Sequence, residues 1–385
     1  MNLLKDNPWR HQVGVQPPLI HLNHAAVGAW PQRTVERMVD FAQENHRQAA
    51  MGYPAWLKEI SELRSNLGRL FNVAADDIAL TKNTSDAISM IAAGIDWQPG
   101  DNVVVPASEF PSNRFAWEAL AARGVEIRQP GDHHQCPSEQ AIIDCLDKRS
   151  RLLSISGVQY DTGWRYRLDQ LGEVCKTRDV LFCVDAIQQA GALPLDAQAI
   201  GADFLVGGSH KWLMAPEGLG YFWSRPAARE RVGLTQYGWC MVDRPFAFET
   251  GEAWEPSDGA RRFEPGTLNT AGALALNQSL KWLQEDIGMA AVAKLVSQAV
   301  DVLSEALVGI SGIELVSSRD SQRRSGIIAL RHKVVDAEWL YRKLMKEQVY
   351  CAARGGLLRF SPHCYLTENE LLEAVARLEK VIASY

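Results

Sequence analysis

The chain has 385 residues, of which 46% are hydrophobic, 22% charged and 8% aromatic; this composition is typical of a globular protein and excludes disordered and fibrous classes. Lys and Arg total 40 against 46 Asp and Glu, and the formal net charge of −6 gives no electrostatic reason to expect nucleic acid or an anionic membrane as a partner. No apolar run reaches the ~18 residues of a transmembrane helix, and the N-terminus lacks signal-peptide features. The 7 cysteines form no CxxC pair, so we expect reduced thiols and a cytoplasmic protein.

The first predicted elements are two amphipathic helices, at 32–48 and 55–70. From residue 83 to about 224, short apolar runs then alternate with longer amphipathic stretches. The apolar runs predict buried strands at 103–106, 152–158, 180–186 and 204–208. The stretches between them predict helices at 112–123, 137–146 and 168–178. This alternation favours a doubly wound α/β domain with a mostly parallel sheet.

The stretch from Val242 to Thr267 has no clear period and predicts a long irregular loop, of the kind that forms lids or inter-subunit arms. The rest of the chain predicts four helices, at 271–284, 289–307, 336–347 and 368–383. It also predicts two strands, at 326–330 and 357–361. We therefore expect a large domain at 21–268 and a smaller α+β domain at 269–385. The N-terminal segment, 1–20, is expected to contribute to the smaller domain.

Several catalytic motifs are missing from the sequence. It contains no GxGxxG after a strand, no GxxxxGK[ST], no HExxH and no GxSxG. These absences leave the simple dinucleotide, nucleotide, zinc-protease and α/β-hydrolase interpretations without support.

Two residues at strand ends form a telling pair. Asp185 ends the run VLFCVDA, at the edge where α/β sheets bind ligands, and Lys211 follows the next strand in FLVGGSHKW. Taken singly, Asp185 is as readily a helix cap and Lys211 a surface lysine. Together they supply what pyridoxal phosphate (PLP) needs: an amine that holds the aldehyde as a Schiff base, and a carboxylate that keeps the pyridine nitrogen protonated.

A phosphate anchor is the third requirement for this cofactor. Thr84 or Ser85 can begin a helix whose free N–H groups and positive dipole end bind phosphate. By itself this signal is weak, because most Ser and Thr caps bind nothing.

Motifs along nearly the whole chain, from residue 21 to the C-terminal helix, are arranged in a recognisable order. They are HLNHAA (21–26), NTSDA (83–87), EFPSN (109–113), VDAIQ (184–188), SHKW (209–212) and FEPGT (263–267). In this order they resemble the class V aminotransferase family of fold-type I PLP enzymes, which includes cysteine desulfurases, kynureninase, isopenicillin N epimerase and C–S lyases. The resemblance implies a PLP-binding large domain with a mostly parallel sheet and a smaller α+β domain.

The resemblance also implies roles for individual residues. Lys211 corresponds to the Schiff-base lysine and general acid/base, and Asp185 to the pyridinium partner. Phe110 falls where a ring stacks on the cofactor, with core packing as the alternative. The remaining implied cofactor contacts, to ring hydroxyl, phosphate or the partner's phosphate, are Gln159, Gln188, Thr84, Ser85, Ser209, His210, Gly266 and Thr267. The last two imply a homodimer with shared active sites.

The substrate's carboxylate calls for a cation that can bind it with two hydrogen bonds, which favours arginine. Arg359, in the predicted strand LLRFS, matches the family's carboxylate-binding arginine, and Arg354 in ARGG is a second candidate. A surface arginine is the alternative for both. His24, in the first motif, is a further candidate for the substrate site.

The family resemblance leaves the reaction open. Cysteine desulfurases carry a nucleophilic cysteine on a loop between the two arginine positions, but here Arg354 and Arg359 are separated only by GGLL, while Cys351 and Cys364 lie outside. We therefore expect Cα deprotonation of an amino acid followed by β-elimination with C–S cleavage, transamination or epimerisation, and disfavour the desulfurase route. The aromatic residues Tyr237, Trp239 and Trp254 either line the pocket or belong to the dimer interface. An NAD-type dehydrogenase and a non-catalytic binding protein of this fold are the alternatives from other classes.

Overall fold

The computed structural model describes residues 4–133, 135–247 and 254–385. Within these ranges the helices, in chain order, are α1 (Gln32–Gln48), α2 (Tyr53–Phe71), α3 (Thr84–Gly94), α4 (Ser112–Glu118), α5 (Glu139–Asp144), α6 (Leu168–Thr177), α7 (Pro226–Arg229), α8 (Thr270–Lys281), α9 (Met289–Val308), α10 (Ala337–Lys346) and α11 (Glu368–Ala383). The strands are β1 (Ile20–His21), β2 (Ile78–Thr81), β3 (Asn102–Val104), β4 (Glu126–Arg128), β5 (Ser150–Ser156), β6 (Leu181–Asp185), β7 (Phe204–Gly208), β8 (Gly220–Ser224), β9 (Ile313–Leu315), β10 (Ile328–His332), β11 (Val349–Tyr350), β12 (Ala352–Arg354) and β13 (Leu357–Phe360).

The larger sheet of the described chain has seven strands in the order β2-β8-β7-β6-β5-β3-β4. Its pairings are parallel except for β8, which runs antiparallel to both β2 and β7. Strands β6 and β7 are buried along their whole length, because a sheet covered on both faces presents apolar side chains in both directions. The predicted mostly parallel α/β sheet is confirmed.

The topology brings the ends of several strands to one edge. Strands β2, β3, β5, β6 and β7 point the same way, since β2 and β7 each run opposite to β8. The loops that follow them therefore converge at the carboxyl edge of the sheet, where open α/β sheets bind ligands. Each predicted strand-end motif leaves the sheet there.

A four-stranded antiparallel sheet, in the order β12-β13-β10-β9, forms the C-terminal part. The N-terminal chain joins it, because β1 pairs in parallel with β11 and Asn23 bridges to Ser361. Helix α8 packs against α1 and α2. The expected contribution of the N-terminus to this part has a physical basis in these pairings, and the boundaries at 21 and 269 stay a prediction.

No helix in the described ranges is by itself long and apolar enough to cross a membrane. One pair bent by 86°, Thr270–Ile287 with Met289–Val308, passes that test only when its two helices are joined. The buried residues of α8 and α9 are those of the protein core, including Leu276 and Leu295.

Candidate active site

Lys211 lies in a loop that follows β7 and is fastened from two sides. The hydroxyl of Ser209 donates to the carbonyl of Leu219 at 2.9 Å and also to that of Pro216. The N–H of Gly28 donates to the carbonyl of His210 at 2.7 Å. A Cβ atom at Gly28 would lie 2.2 Å from the carbonyl oxygen of Lys211, so only glycine permits this close approach. The lysine thus sits on a backbone held by the sheet and by the N-terminal segment.

The electrostatics of Lys211 suit a proton-transfer group. Burial lowers its pKa to about 8, with smaller contributions from Arg359 and Arg354, while the charge of Asp185 acts in the opposite direction. Asp185 is itself buried, and burial raises its pKa to about 6 although its Oδ1 accepts the Ile187 N–H at 2.9 Å. An amine whose pKa lies near neutrality can both take up and release a proton under working conditions. Because the charges of Lys211 and Asp185 affect each other's pKa, the two residues of the predicted pair lie close together.

Phe110 lies over the lysine. Its ring centroid is 5.5 Å from Nζ of Lys211 and 5.2 Å from the ring of Tyr160, which it meets edge to face. The Phe110 side chain is 40% exposed, so this ring covers the site and does not belong to the core. That arrangement fits the predicted stacking role better than core packing.

A buried carboxyl group from the EFPSN motif, Glu109, lies near this pair and senses the charge of Asp185. Glu109 accepts the Ser156 N–H at 2.6 Å, the Ser156 hydroxyl at 2.5 Å and the Gln159 side-chain amide at 2.8 Å. We call Glu109, Ser156, Gln159 and Asp185 the carboxyl cluster; all are buried. The sequence signal was an acidic residue shortly after the apolar strand β3, the same signal that identified Asp185.

The two glutamines of the site are held differently. Gln159 donates to Glu109, and its Oε1 atom is buried without a partner. Gln188 uses both polar atoms: its Nε2 donates to the carbonyl of Ala25 at 3.0 Å, and its Oε1 accepts the Trp212 ring N–H at 2.9 Å. Gln188 therefore links the N-terminal segment to the lysine loop and retains one amide hydrogen for a ligand.

The start of α3 offers an anion site. Asn83 caps this 11-residue helix by accepting the Asp86 N–H at 2.9 Å. Thr84 is buried and its hydroxyl has no hydrogen-bond partner, whereas the exposed Ser85 hydroxyl donates to that of Ser112 at 2.8 Å. A buried hydroxyl without a partner is costly unless a ligand completes it. Together with Lys211 and Asp185, this end of the site fits PLP.

The other predicted cofactor contacts lie at the margin. His210 is partly buried, and burial together with the charge of Lys211 lowers its pKa. Gly266 has open space around it and Thr267 is exposed, on a surface shared with Trp239 and Phe246. The Ser209 hydroxyl is engaged within its own loop, as described above. The roles of these four residues stay predictions.

Arg359 extends from β13 towards the lysine. Its guanidinium donates to the carbonyl of Tyr160 and to the Asn23 side chain at 3.4 Å, and its Nε is buried without a partner. Burial lowers its pKa to about 10, helped by the nearby charge of Arg354. Arg354 is exposed and donates to the carbonyl of Ala353. Asn23 and Tyr160 were not predicted as partners, because no local pattern links three such distant segments.

His24 belongs to a second buried group, which we call the histidine cluster: His21, His24 and His363. The His24 ring centroid lies 4.4 Å from that of His21 and 5.0 Å from that of His363. The His24 side chain is 0% exposed, its Nδ1 is 3.1 Å from the carbonyl of Ser361, and its Nε2 has no partner. Its role in the substrate site stays a prediction.

Burial disfavours the thiolate at each of the seven cysteines, including Cys364, whose Sγ lies 3.1 Å from Nδ1 of the buried His363. All are free, and burial is the largest cause of a raised pKa at every one of them. Cys351 and Cys364 are 1% and 0% exposed. The chain between the two arginines is a tight turn with positive φ at Gly355 and Gly356, so it has no room for a cysteine-bearing loop.

Comparison with known proteins decides the family. The aminotransferase class-V family matches residues 20–373. The chain belongs to the class-V aminotransferase family. This membership confirms the predicted family, the enzyme class, a transferase or lyase with Cα chemistry, and PLP as its cofactor.

Individual relatives cover almost the whole chain. A probable cysteine desulfurase of Methanothermobacter thermautotrophicus is 28% identical over 99% of both chains, and isopenicillin N epimerase of Streptomyces clavuligerus is 27% identical over 94% of both. The solved structure of a C-DES mutant with glycine covalently linked to the PLP cofactor superposes with a TM-score of 0.88 at 23% identity, covering 97% of this chain and 99% of that one. The structural likeness confirms the fold.

Proposed function

We propose that the protein takes a proton from the α-carbon of an amino-acid substrate with Lys211 and completes the reaction as a β-eliminating lyase or a transaminase. The observation that carries this proposal is the pair formed by the partly buried Lys211, whose Nζ lies under the ring of Phe110, and the buried Asp185. Bound PLP would supply the electron sink that makes the Cα proton of an amino-acid substrate acidic.

The residues of the chain divide the remaining work. Asp185 would hold the proton of the pyridine nitrogen, Phe110 would cover the ring, and the buried Thr84 hydroxyl with the start of α3 would take the phosphate. Gln188 and Gln159 are left to orient the ring hydroxyl. Each assignment rests on a free polar atom or a contact described above.

Arg359 is proposed to bind the substrate α-carboxylate. Its buried guanidinium is preorganised by Tyr160 and Asn23 and has an unpartnered Nε. A planar fork of N–H groups matches a carboxylate with two hydrogen bonds, and burial strengthens them. Arg354, exposed beside it, is proposed to act on the more distant part of the substrate.

The reaction type follows from which proton carriers are available. Persulfide transfer needs an activated thiol, and burial raises the pKa of each thiol of this chain. Epimerisation exchanges protons between two faces of Cα, whereas Lys211 supplies proton transfer on one. Elimination and transamination need only that one group, and we therefore favour them over the epimerisation catalysed by the Streptomyces relative.

Two further proposals concern assembly and location. We propose a homodimer in which Gly266 and Thr267 approach the partner's phosphate site, supported by the position of Thr267 on a surface with the exposed aromatic residues Trp239 and Phe246. Exposed aromatic groups are enriched at such interfaces. We propose a cytoplasmic location, supported by seven free thiols. Residues 248–253 of the irregular loop lie outside the described residues.

The test is the visible absorption spectrum of the purified protein with PLP, for the wild type and for Lys211→Ala. We expect a cofactor band in the wild type that Lys211→Ala abolishes or shifts. A panel of amino acids, including cysteine and cystine, would be scored for pyruvate with ammonia, for keto acid, and for inversion at Cα.

Pyruvate with ammonia would identify elimination, and keto acid formation would identify transamination. Inversion without either product would overturn the proposed reaction and favour the epimerase route. A wild-type spectrum without any cofactor band, even with added PLP, would overturn the assignment of Lys211.

A further inference from the structure

Of the two carboxyl groups in the carboxyl cluster, Glu109 is the one to which the proposed function assigns no role. It follows β3, one residue before the exposed Phe110, and its own side chain is buried. Both carboxyl oxygens are occupied: Oε1 by the Ser156 N–H and the Gln159 amide, Oε2 by the Ser156 hydroxyl. The group therefore ties the end of β5 to the loop that carries Gln159.

No cation within the described residues forms an ion pair with Glu109, although β6, two strands away from β3 in the sheet, ends in Asp185, whose charge Glu109 senses. Two buried carboxyl groups in one site do not both ionise readily, because each charge opposes the other in a medium that solvates neither. Asp185 has Lys211 as a nearby positive charge. Glu109 has no such cation, so the proton of the pair is better placed on Glu109.

We propose that Glu109 is a positioning residue that stays protonated while Asp185 is ionised, so that it holds Ser156 and Gln159 in place without adding a second negative charge beside the pyridine nitrogen. This proposal deepens the proposed function and rests on it for the meaning of Asp185. The hydrogen-bond frame itself is independent of any cofactor.

The electrostatics of the surroundings agree with this assignment. Burial raises the pKa of Glu109 to about 7, with the Asp185 charge acting in the same direction and hydrogen bonds from Ser156 and Asn113 acting against it. The other titratable groups that sense the Glu109 charge are Tyr160 and Tyr166 beyond β5 and Cys183 on β6. Burial raises the pKa of each of these three groups, so they are neutral at the pH considered.

The sign of the resulting pH dependence is fixed. Glu109 has a higher pKa in the folded chain than in the unfolded chain, so its contribution to stability is full at low pH and is lost as the pH rises through about 7. Glu109→Gln imitates the protonated acid in shape and cannot ionise. Relative to the wild type, this variant gains in its folding equilibrium constant by about 10- to 30-fold between pH 5.5 and 8.5.

The first experiment measures urea unfolding of the full-length chain, freed of PLP, at both pH values for wild type and Glu109→Gln. The matched control is Glu139→Gln. Glu139 is also buried, but it forms an ion pair with Arg323, which together with the Arg167 N–H lowers its pKa. Its substitution is expected to lower stability by about the same amount at both pH values, because Glu139 is ionised at both in the folded and the unfolded chain. Equal pH slopes for wild type and Glu109→Gln would overturn the proposal.

The second experiment uses the PLP-loaded enzyme and adds Glu109→Ala. Loss of the hydrogen-bond frame is expected to weaken PLP binding by about tenfold in the alanine variant, and Glu109→Gln is expected to restore it. The pH titration of the visible band should lose a step near neutrality in Glu109→Gln. If Glu109→Gln binds PLP as poorly as Glu109→Ala, the negative charge is what matters and the proposal is wrong. Because the urea measurement needs no cofactor, failure of the proposed function would leave it intact.

Discussion

The carboxyl cluster and the histidine cluster lie on different sides of the lysine loop. Burial shifts the pKa values of their side chains in opposite directions. Burial raises the pKa of Asp185 to about 6, and it lowers the pKa of His21 and of His363 to about 4. In both places burial disfavours the charged form, since removing a charge from water is costly. The carboxyl groups thus tend to gain protons and the histidines to lose them.

This difference separates a reactive region from a structural one. Asp185 has a cationic neighbour, Lys211, which can draw it back to the charged form. The histidines face one another, and the charge of His21 would lower the pKa of His24 and His363 still further. They satisfy backbone groups, with His363 Nε2 at 3.0 Å from the carbonyl of Trp212. Burial alone therefore does not make a group catalytic. A buried group also needs a nearby opposite charge that lets it reach its charged form.

The largest expected effect comes from removing the charge that this contrast singles out. Asp185→Asn keeps the shape of the side chain but cannot hold the pyridine nitrogen protonated. We expect kcat to fall by about 1,000-fold, within the range seen when a positioned proton-transfer group is lost. Urea unfolding of the PLP-free variant serves as the control and is expected to show no loss of stability at pH 8. A loss of kcat below about tenfold would place the catalytic charge elsewhere.

The histidine cluster should respond to acid. Each histidine has a folded pKa below its unfolded value of 6.5, so its contribution to stability is present above pH 6.5 and is lost as the pH falls towards 4. For His21 and His363 together, we expect the free energy of unfolding to drop by about 3 kcal/mol between pH 7 and 5. Urea unfolding at these two pH values measures the drop.

His21→Gln is the variant that isolates this effect. It should remove roughly half of the acid-induced drop, because it removes one of the two titrating histidines. Glutamine can still donate to the Val27 carbonyl that His21 Nε2 contacts at 3.0 Å, so this hydrogen bond is kept. The control is His46→Gln on the exposed face of α1, which should leave the drop unchanged. If both variants lose stability in acid as the wild type does, the histidine cluster is not the acid-sensitive element.

The sequence predicted one of these regions far better than the other. Asp185, Lys211 and Phe110 follow apolar strands, and strand topology brings such positions together, so a local pattern was enough. The N-terminal β1 and the C-terminal β11 are two residues each, and their pairing depends on tertiary packing that no periodicity reveals. His24 was accordingly assigned to the substrate, without the ring contacts to His21 and His363 that now surround it. Antiparallel β8 was missed because GYFWS gives no sign of its direction.

Arg359 connects the carboxyl cluster with the histidine cluster. Its substitution is expected to have a smaller effect than the changes described above. Its guanidinium reaches Asn23, next to His24, and Tyr160, next to Gln159. We expect Arg359→Lys to raise KM by about 10- to 100-fold with a smaller change in kcat, because a point charge replaces a two-hydrogen-bond fork. Arg354→Lys is the matched comparison on the exposed side of the hairpin and should change KM less. Equal effects would assign the carboxylate to both arginines.

The proposed phosphate site at the start of α3 lies outside both clusters. Substitutions there are expected to have the smallest effect. The Thr84 hydroxyl is buried without a partner, whereas the Ser85 hydroxyl already donates to Ser112. One more hydrogen bond to the phosphate strengthens PLP binding by about 1.5–3 kcal/mol at most, and desolvation of the hydroxyl offsets part of that gain. We therefore expect Thr84→Ala to weaken PLP binding by about fivefold and Ser85→Ala to leave it nearly unchanged, as measured by the rise of the visible band on titration. The reverse order would mean that the exposed hydroxyl leaves Ser112 to meet the phosphate.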